Sequence, residues 1–122
     1  MAERISDSEQ AVMEVLWAQA PLTSAEVVER IGSARGWTDK TVKTLLSRLV
    51  AKGALAFEEA GRRYLYRPVT GRDQFVTEES NRLIDRLFAG RAAPLVAHLA
   101  ERDRLSQDDI AEIEALLKEL KA

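Results

Sequence analysis

The spacing of hydrophobic positions predicts three helices in the first half of the chain, over about 7–18, 24–31 and 39–52. A hydroxyl side chain precedes each of them and is expected to cap it; these residues are Ser6, Thr23 and Thr38. Glu9 and Glu26 complete the capping-box pattern for the first two. The second helix is expected to be short, because Gly32 and Gly36 should break it.

After Gly53 the hydrophobic period changes from that of a helix to the two-residue period of a strand. Leu55 and Phe57 alternate with small or polar residues, and Tyr64 and Tyr66 do so in a second stretch. The segment 58–63 contains a glycine and predicts the turn of a β-hairpin. Three helices followed by a hairpin is the order of a winged helix-turn-helix.

Beyond Pro68 the pattern is helical again, and it leaves an apolar stripe that short helices in series cannot bury within one chain. We expect a second copy to cover it, through Leu83, Leu87, Leu95, Leu99, Ile113, Leu116, Leu117 and Leu120. The predicted fold is therefore mainly α with a small β-hairpin. It comprises a winged-helix DNA-binding domain over 1–69 and a helical dimerisation domain, the arm, over 70–122.

The charge of the chain is unevenly distributed. The formal net charge is only -2, yet residues 30–72 hold ten basic and three acidic residues. The remainder holds eight basic and seventeen acidic residues, so a basic middle lies between acidic helical segments. Such a local basic excess is typical of a surface that binds nucleic acid.

The third helix presents a polar face opposite its leucine stripe, with side chains of the types that read DNA. These residues are Lys40, Thr41, Lys43, Thr44, Ser47 and Arg48. Arg62 and Arg63 at the hairpin tip are expected to reach phosphates or an adjacent minor groove. A solvated helix face and a merely soluble turn are the alternative interpretations.

Several stretches of the sequence resemble the penicillinase-repressor (BlaI/MecI) family. They are residues 5–9 with Val12-Met13 and Leu16-Trp17, residues 38–49, Tyr64-Leu65-Tyr66, Phe88-Ala89-Gly90 and Leu95-Val96. The resemblance implies a dimeric winged-helix repressor that binds an inverted-repeat operator in double-stranded DNA. It also implies a sensor-linked membrane protease as a partner, since that pathway often leads to cleavage of the family's arm.

Two features depart from the family pattern. Penicillinase repressors are cut at an Asn-Phe bond, and the matching position here is His98-Leu99, the candidate cleavage site. The copper-responsive branch carries a cysteine pair near its C-terminus, whereas this chain has no cysteine. Release by copper through such a pair is therefore excluded.

Composition excludes other classes of function. Without cysteine there is no disulfide, thiolate metal site or cysteine nucleophile. His98 is the only histidine, and the acidic residues near Asp108 lack the ligand order of a calcium loop, so we expect no metal and no cofactor. No catalytic constellation appears, so an enzyme is not expected.

No apolar run is long enough to span a membrane, and Met1 to Arg4 lead straight into a helix instead of a signal peptide. We therefore expect a cytoplasmic protein without membrane insertion. The alternative to a DNA-binding repressor is a winged-helix module that binds protein instead of DNA.

Overall fold

The structure is a computed structural model that describes residues 4–122, without the side chains of residues 32 and 33. The predicted lead into the first helix ran from Met1 to Arg4, and its first three residues lie outside the described residues. The helices are α1 (Asp7–Ala18), α2 (Ser24–Val27), a π-helical turn (Val28–Gly32), α3 (Ser33–Arg35), α4 (Asp39–Ala51), α5 (Arg72–Phe88), α6 (Ala92–Glu101) and α7 (Gln107–Lys121). The strands are β1 (Leu55–Ala60) and β2 (Arg63–Pro68). The predicted order of three helical segments, a hairpin and further helices is confirmed.

Side-chain caps fix where the helices begin. The Ser6 hydroxyl oxygen accepts from the Glu9 amide at 3.2 Å, and the Glu9 carboxylate accepts from the Ser6 amide at 2.7 Å. Thr23 with Glu26 forms the same reciprocal pair, as predicted. Such caps satisfy amide groups that have no partner inside the helix, so the start of each helix is set locally.

The second helical segment is longer than predicted. It passes through Gly32 as a π-helical turn, continues as α3 and ends before Gly36, whose φ is +69°. A glycine inside a helix costs only about 1 kcal/mol. Val27 and Ile31 are buried against the core, and their burial outweighs that cost. Gly32 therefore does not break the segment, and this prediction was wrong.

The hairpin is tighter than the predicted six-residue turn. Strands β1 and β2 pair from Leu55 with Pro68 to Ala60 with Arg63, which leaves only Gly61 and Arg62 in the turn. Gly61 has φ +66°, the conformation that the first position of a type II′ turn requires. Cross-strand pairing thus extends through positions that the sequence assigned to the turn.

The hairpin is attached to the helices through the segment before α2. Leu22 and Tyr66 exchange two backbone hydrogen bonds, of 3.1 and 2.8 Å from nitrogen to oxygen. Leu22 is buried in the core, and Tyr66 packs against it. The wing is therefore fixed to the start of α2 by backbone pairing.

The chain forms two compact units, Met1–Val76 and Thr77–Ala122. The first has a closed apolar core contributed mainly by α1, the second helical segment and α4. Its buried hydrophobic residues are Val12, Met13, Leu16, Leu22, Val27, Ile31, Val42, Leu45, Leu46, Leu49 and Leu55.

One ion pair is buried at the edge of this core. Glu9 is 1% exposed, and its Oε1 lies 2.6 Å from Lys52 Nζ at the C-terminal end of α4. Burial alone would raise the pKa of Glu9, but hydrogen bonds from Lys52 and Ser6 outweigh it and hold that pKa below its usual value. The pair therefore links the start of α1 to the end of α4.

The second unit contains the rest of α5 together with α6 and α7, and none of these three helices has a buried residue. Two non-glycine residues with positive φ lie between its helices, Ala89 (+52°) and Asp103 (+56°). Across the described residues, no helix combines the length and the apolar character that crossing a bilayer requires. The roles of the two predicted domains stay a prediction.

Candidate nucleic-acid interface

Helix α4 has two opposite faces. Val42, Leu45, Leu46 and Leu49 are buried in the core. The six residues that the sequence assigned to DNA binding are all exposed; they are Lys40, Thr41, Lys43, Thr44, Ser47 and Arg48. Because the buried stripe fixes the rotation of the helix, these polar side chains point to solvent.

Most of this polar face lines a single open groove along α4. Its lining consists of Asp39, Lys40, Lys43, Thr44, Ser47, Arg48 and Ala51. Thr41 is exposed but does not line this groove. The groove brings three cations together with two hydroxyl groups over little more than two helical turns.

The two threonines of the face offer different chemistry. Thr44 donates its hydroxyl hydrogen to the carbonyl oxygen of Lys40 at 2.9 Å. It therefore presents a methyl group and an accepting oxygen, but no free donor. Thr41 shares a hydroxyl contact of 3.2 Å with Thr38, the residue that caps α4. Thr44 is thus suited to a base methyl group, whereas Thr41 contributes to the start of the helix.

A second groove joins α4 to the wing. Lys43 and Ser47 line it from α4, and Arg62 and Arg63 line it from the hairpin tip. Four of the eight predicted DNA-binding residues therefore share one concave surface. The remaining lining comes from the start of α2, from Glu29 and from two wing tyrosines: Thr23, Ser24, Ala25, Glu26, Glu29, Tyr64 and Tyr66.

The acidic side of this second groove stays ionised. Hydrogen bonds from the Thr23 amide and hydroxyl hold the pKa of Glu26 below its usual value, and the charges of Arg30 and Arg63 act in the same direction. A basic wall from α4 and the wing therefore faces a carboxylate at the start of α2. An approaching phosphate is attracted to one wall and repelled from the other.

The wing contains a cluster of aromatic rings that pack against one another at tilted angles. The ring centroids of Phe57 and Tyr64 are 4.4 Å apart, and those of Phe57 and Tyr66 are 5.9 Å apart. Burial, together with the neighbouring Tyr64, raises the pKa of Tyr66 above its usual value. Such aromatic pairs stabilise a hairpin beyond the area they bury, which helps to hold the basic tip in place.

Sequence reasoning missed the contribution of α2 and of the tyrosines to the second groove. The pairing of Leu22 with Tyr66 brings these parts together, and nothing in the sequence marked that long-range contact. The capping box at Thr23 could have indicated a helix start, but not that it faces the wing.

The other predicted site residues lie in the second unit. Five residues of the apolar stripe are exposed, and three are half-buried. The exposed ones are Leu83, Leu87, Leu116, Leu117 and Leu120, and the half-buried ones are Leu95, Leu99 and Ile113. The candidate cleavage bond, His98-Leu99, lies inside α6, with the His98 ring 6.5 Å from that of Phe88.

No group of three or more His, Cys, Asp or Glu side chains within the described residues is arranged to hold a metal ion. The acidic residues Asp108 and Asp109 lie in the first turn of α7, where Asp109 completes the cap of Ser106. Their position is that expected for charge at a helix N-terminus.

Three helical segments, a hairpin wing and an exposed basic face on the last of those segments define a winged-helix protein of the type that binds DNA. A model of the penicillinase repressor family matches residues 5–119. The penicillinase repressor of Bacillus licheniformis is 32% identical over 118 residues, covering 97% of this chain and 92% of that protein. The chain therefore belongs to the penicillinase repressor family, which consists of transcriptional repressors and not of enzymes.

Further similarities agree with this assignment. The methicillin resistance regulatory protein MecI of Mammaliicoccus sciuri is 28% identical over 113 residues, covering 93% of this chain and 92% of that protein. A solution structure of Bacillus licheniformis BlaI, in monomeric form with the blaP half-operator, is 34% identical with a TM-score of 0.53. It covers 60% of this chain and 89% of that one. The family and the winged-helix fold inferred from the sequence are thus confirmed.

Proposed function

We propose that this protein represses transcription by binding an inverted-repeat operator in double-stranded DNA as a homodimer, in the cytoplasm. The observation that carries the proposal is the shared basic surface of α4 and the wing, where Lys43 and Ser47 lie in one groove with Arg62 and Arg63. Helix α4 would enter the major groove, and the wing would follow the phosphate backbone beside it.

Within α4, the cations and the threonine would have separate tasks. Lys40, Lys43 and Arg48 can donate to guanine edges or neutralise phosphates. Thr44 has already used its hydroxyl hydrogen on the Lys40 carbonyl oxygen, so its methyl group is left for a thymine contact. Base selection would therefore come from α4, near its N-terminal half.

The wing tip would contribute affinity without sequence preference. Arg62 and Arg63 are exposed next to Gly61 at the hairpin tip, so both can approach the phosphate backbone of DNA without displacing other parts of the protein. Arginines that neutralise phosphates release counterions, which makes binding salt-dependent for every duplex alike.

Dimerisation would use the apolar stripe of the arm. Leu116 and Leu117 are 58% and 49% exposed, and none of helices α5, α6 and α7 buries a residue in the isolated protomer. Burying a leucine side chain contributes about 1.5–3 kcal/mol, so several such residues across a two-fold axis favour association. The two heads would then meet two half-sites.

Control by a sensor-linked protease is the further part of the proposal. The relevant bond, His98-Leu99, lies within α6, so cleavage requires this helix to open locally. Cutting there would separate α7 from the rest of the arm and remove part of the apolar stripe. The loss of the dimer would then release the operator.

The test of the DNA surface compares two pairs of substitutions. Lys43→Ala with Thr44→Ala should weaken binding to the operator more than to random duplex, by ~1–3 kcal/mol for each lost base contact. Arg62→Ala with Arg63→Ala should weaken both equally and lower the salt slope by ~1–2 units. Gel shifts over a range of salt concentrations measure these effects.

Arg67→Ala is the matched control. Arg67 pairs with Ala56 and so lies on the opposite face of the wing from Tyr66, outside both grooves. Arg67→Ala removes one positive charge from β2, the strand that begins at Arg63, and should change binding least. If the α4 pair loses as much affinity for random duplex as for the operator, Lys43 and Thr44 do not recognise bases. Intact binding in all variants would favour the protein-binding alternative.

A further inference from the structure

Helix α5 leaves the winged-helix unit through contacts with α1. Its first turn and the preceding loop meet Glu14 and Trp17, which lie three residues apart on one face of α1. We define the clamp as Glu14, Trp17, Thr70, Arg72 and Phe75. All five residues belong to the first compact unit.

Trp17 is the centre of the clamp. Its ring nitrogen donates to the Thr70 carbonyl oxygen at 3.0 Å, and its ring centroid lies 5.1 Å from that of Phe75. The same side chain packs against the buried core. A single residue thus holds both the loop before α5 and the first turn of α5 to the core.

Arg72 adds an ion pair to the clamp. Its Nε lies 2.8 Å from Glu14 Oε1, and its Nη2 lies 3.3 Å from Oε2, so the contact is bidentate. The hydrogen bond to Glu14 raises the pKa of Arg72 above its usual value. Both side chains are about half exposed, so the pair contributes little stability. Its bidentate geometry still restricts the orientation of Arg72 relative to Glu14.

The clamp lies at the start of the helix that connects the two compact units. Helix α5 runs unbroken from Arg72 to Phe88, so it begins in the first unit and continues into the second. None of the eight residues proposed to contact DNA belongs to the clamp. The contacts of Trp17 and Arg72 therefore hold the start of α5, the first helix of the arm, without taking part in the proposed DNA contacts.

We propose that the clamp couples the arm to operator recognition, with Trp17 and Arg72 as positioning residues for simultaneous binding of two half-sites. This inference rests on the proposed dimeric function. In a bivalent complex the second head binds at an effective concentration set by the stiffness of its connection. A loosened start of α5 lowers that concentration and leaves each head able to bind one half-site.

The experiment uses the full chain and two duplexes of equal length. One is an operator selected from a random duplex library with the wild-type protein, and the other has one half-site scrambled. The effective concentration of the second head is the association constant for the intact operator divided by the square of that for the half-operator. This ratio corrects for changes in the affinity of a single head, including those caused by charge.

Trp17→Ala should lower this effective concentration by about ten-fold or more, and Trp17→Phe and Arg72→Glu by about three-fold. The double variant Glu14→Arg with Arg72→Glu restores the ion pair at the original net charge and should recover the wild-type value. Half-operator binding by Trp17→Phe should stay at the wild-type level. If Trp17→Ala unfolds in a thermal melt, Arg72→Glu and its charge-swapped partner still decide the outcome.

Wild-type effective concentrations in both Trp17→Phe and Arg72→Glu would overturn the coupling role of the clamp. A different result would show that the proposed function itself is wrong. If the wild-type protein binds the intact operator no more tightly than the half-operator, the dimeric mechanism fails, and the inference fails with it.

Discussion

The two compact units of this protein differ in whether their hydrophobic residues are buried. The unit Met1–Val76 closes a core in which eleven hydrophobic residues are buried among those that the structure describes. The helices that make up Thr77–Ala122 bury none, and Leu120 at the end of α7 is 81% exposed. Both segments have an amphipathic pattern, yet only the first buries its hydrophobic face within one chain.

This difference indicates which part of the molecule can act alone. A segment with a closed core holds its fold at any protein concentration, whereas an exposed apolar stripe gains stability from a partner and so depends on concentration. This difference is consistent with the proposed division between a DNA-binding unit and an arm that dimerises.

The largest expected effect comes from the core of the first unit. Leu46 is fully buried, so Leu46→Ala should lower the free energy of unfolding by about 2–5 kcal/mol through lost burial and a residual cavity. Thermal or urea unfolding measures this loss, which should be the same at every protein concentration.

Leu116→Ala is the matched substitution in the arm. Leu116 is 58% exposed in the protomer, so its loss should weaken the dimer and leave the first unit intact. Analytical ultracentrifugation should show more monomer, and the melting temperature should depend less on protein concentration than in the wild type, because a smaller fraction of the chains is stabilised by association. A loss in folding stability that equals that of Leu46→Ala would contradict the comparison.

The next effect concerns the buried ion pair at the edge of the core. Lys52→Met should lower the free energy of unfolding at neutral pH by about 1–3 kcal/mol, because the buried Glu9 carboxylate would lose its cation and its hydrogen-bond donor. Lys43→Met, an exposed lysine in the same helix, is the control and should change stability little.

The stability deficit of Lys52→Met should depend on pH. The folded state lowers the pKa of Glu9 from its usual 4.5, so the stability it contributes is present above that value. It is lost as the pH falls through the lower folded-state pKa. Urea unfolding between pH 7 and pH 3 should therefore show the deficit of Lys52→Met shrinking in acid. A deficit that grows on acidification would refute the role of the pair.

The smallest expected effect tests a helix end in the arm. Ala89 directly follows α5 and has φ +52°, a conformation that costs a non-glycine residue energy, so Ala89→Gly should stabilise the arm by about 0.5–1 kcal/mol. Asp103→Gly is the control, because aspartate tolerates its φ of +56° better than alanine would. The absence of any gain from Ala89→Gly, in thermal melts at fixed concentration, would show that the positive φ of Ala89 stores no backbone strain.

Much of the fold could be predicted because its signals are local. The caps at Ser6, Thr23 and Ser106 act within three residues, and the leucine stripe of α4 fixes which face is buried. The DNA-binding candidates on α4 follow from that stripe. Gly32 misled the prediction because the burial of Val27 and Ile31, a long-range effect, overrides the weak helix propensity of glycine.

The candidate site was only partly predictable for the same reason. The sequence pointed to Lys43 and to Arg62 as separate basic elements, and the structure shows that both line one groove. Their proximity depends on the pairing of Leu22 with Tyr66, two residues far apart in the chain. No local pattern encodes such a contact.

The sequence by itself determined the order of the elements, the basic face of α4, the basic wing tip and the family. Each depends on periodicity, capping or residue type, which act over a few neighbouring positions. Only the tertiary structure decided that α2 forms part of the second groove, that Glu9 is buried against Lys52 and that Trp17 holds the start of α5. These contacts join residues 40 or more positions apart or depend on how helices pack, and packing is set by the whole core at once.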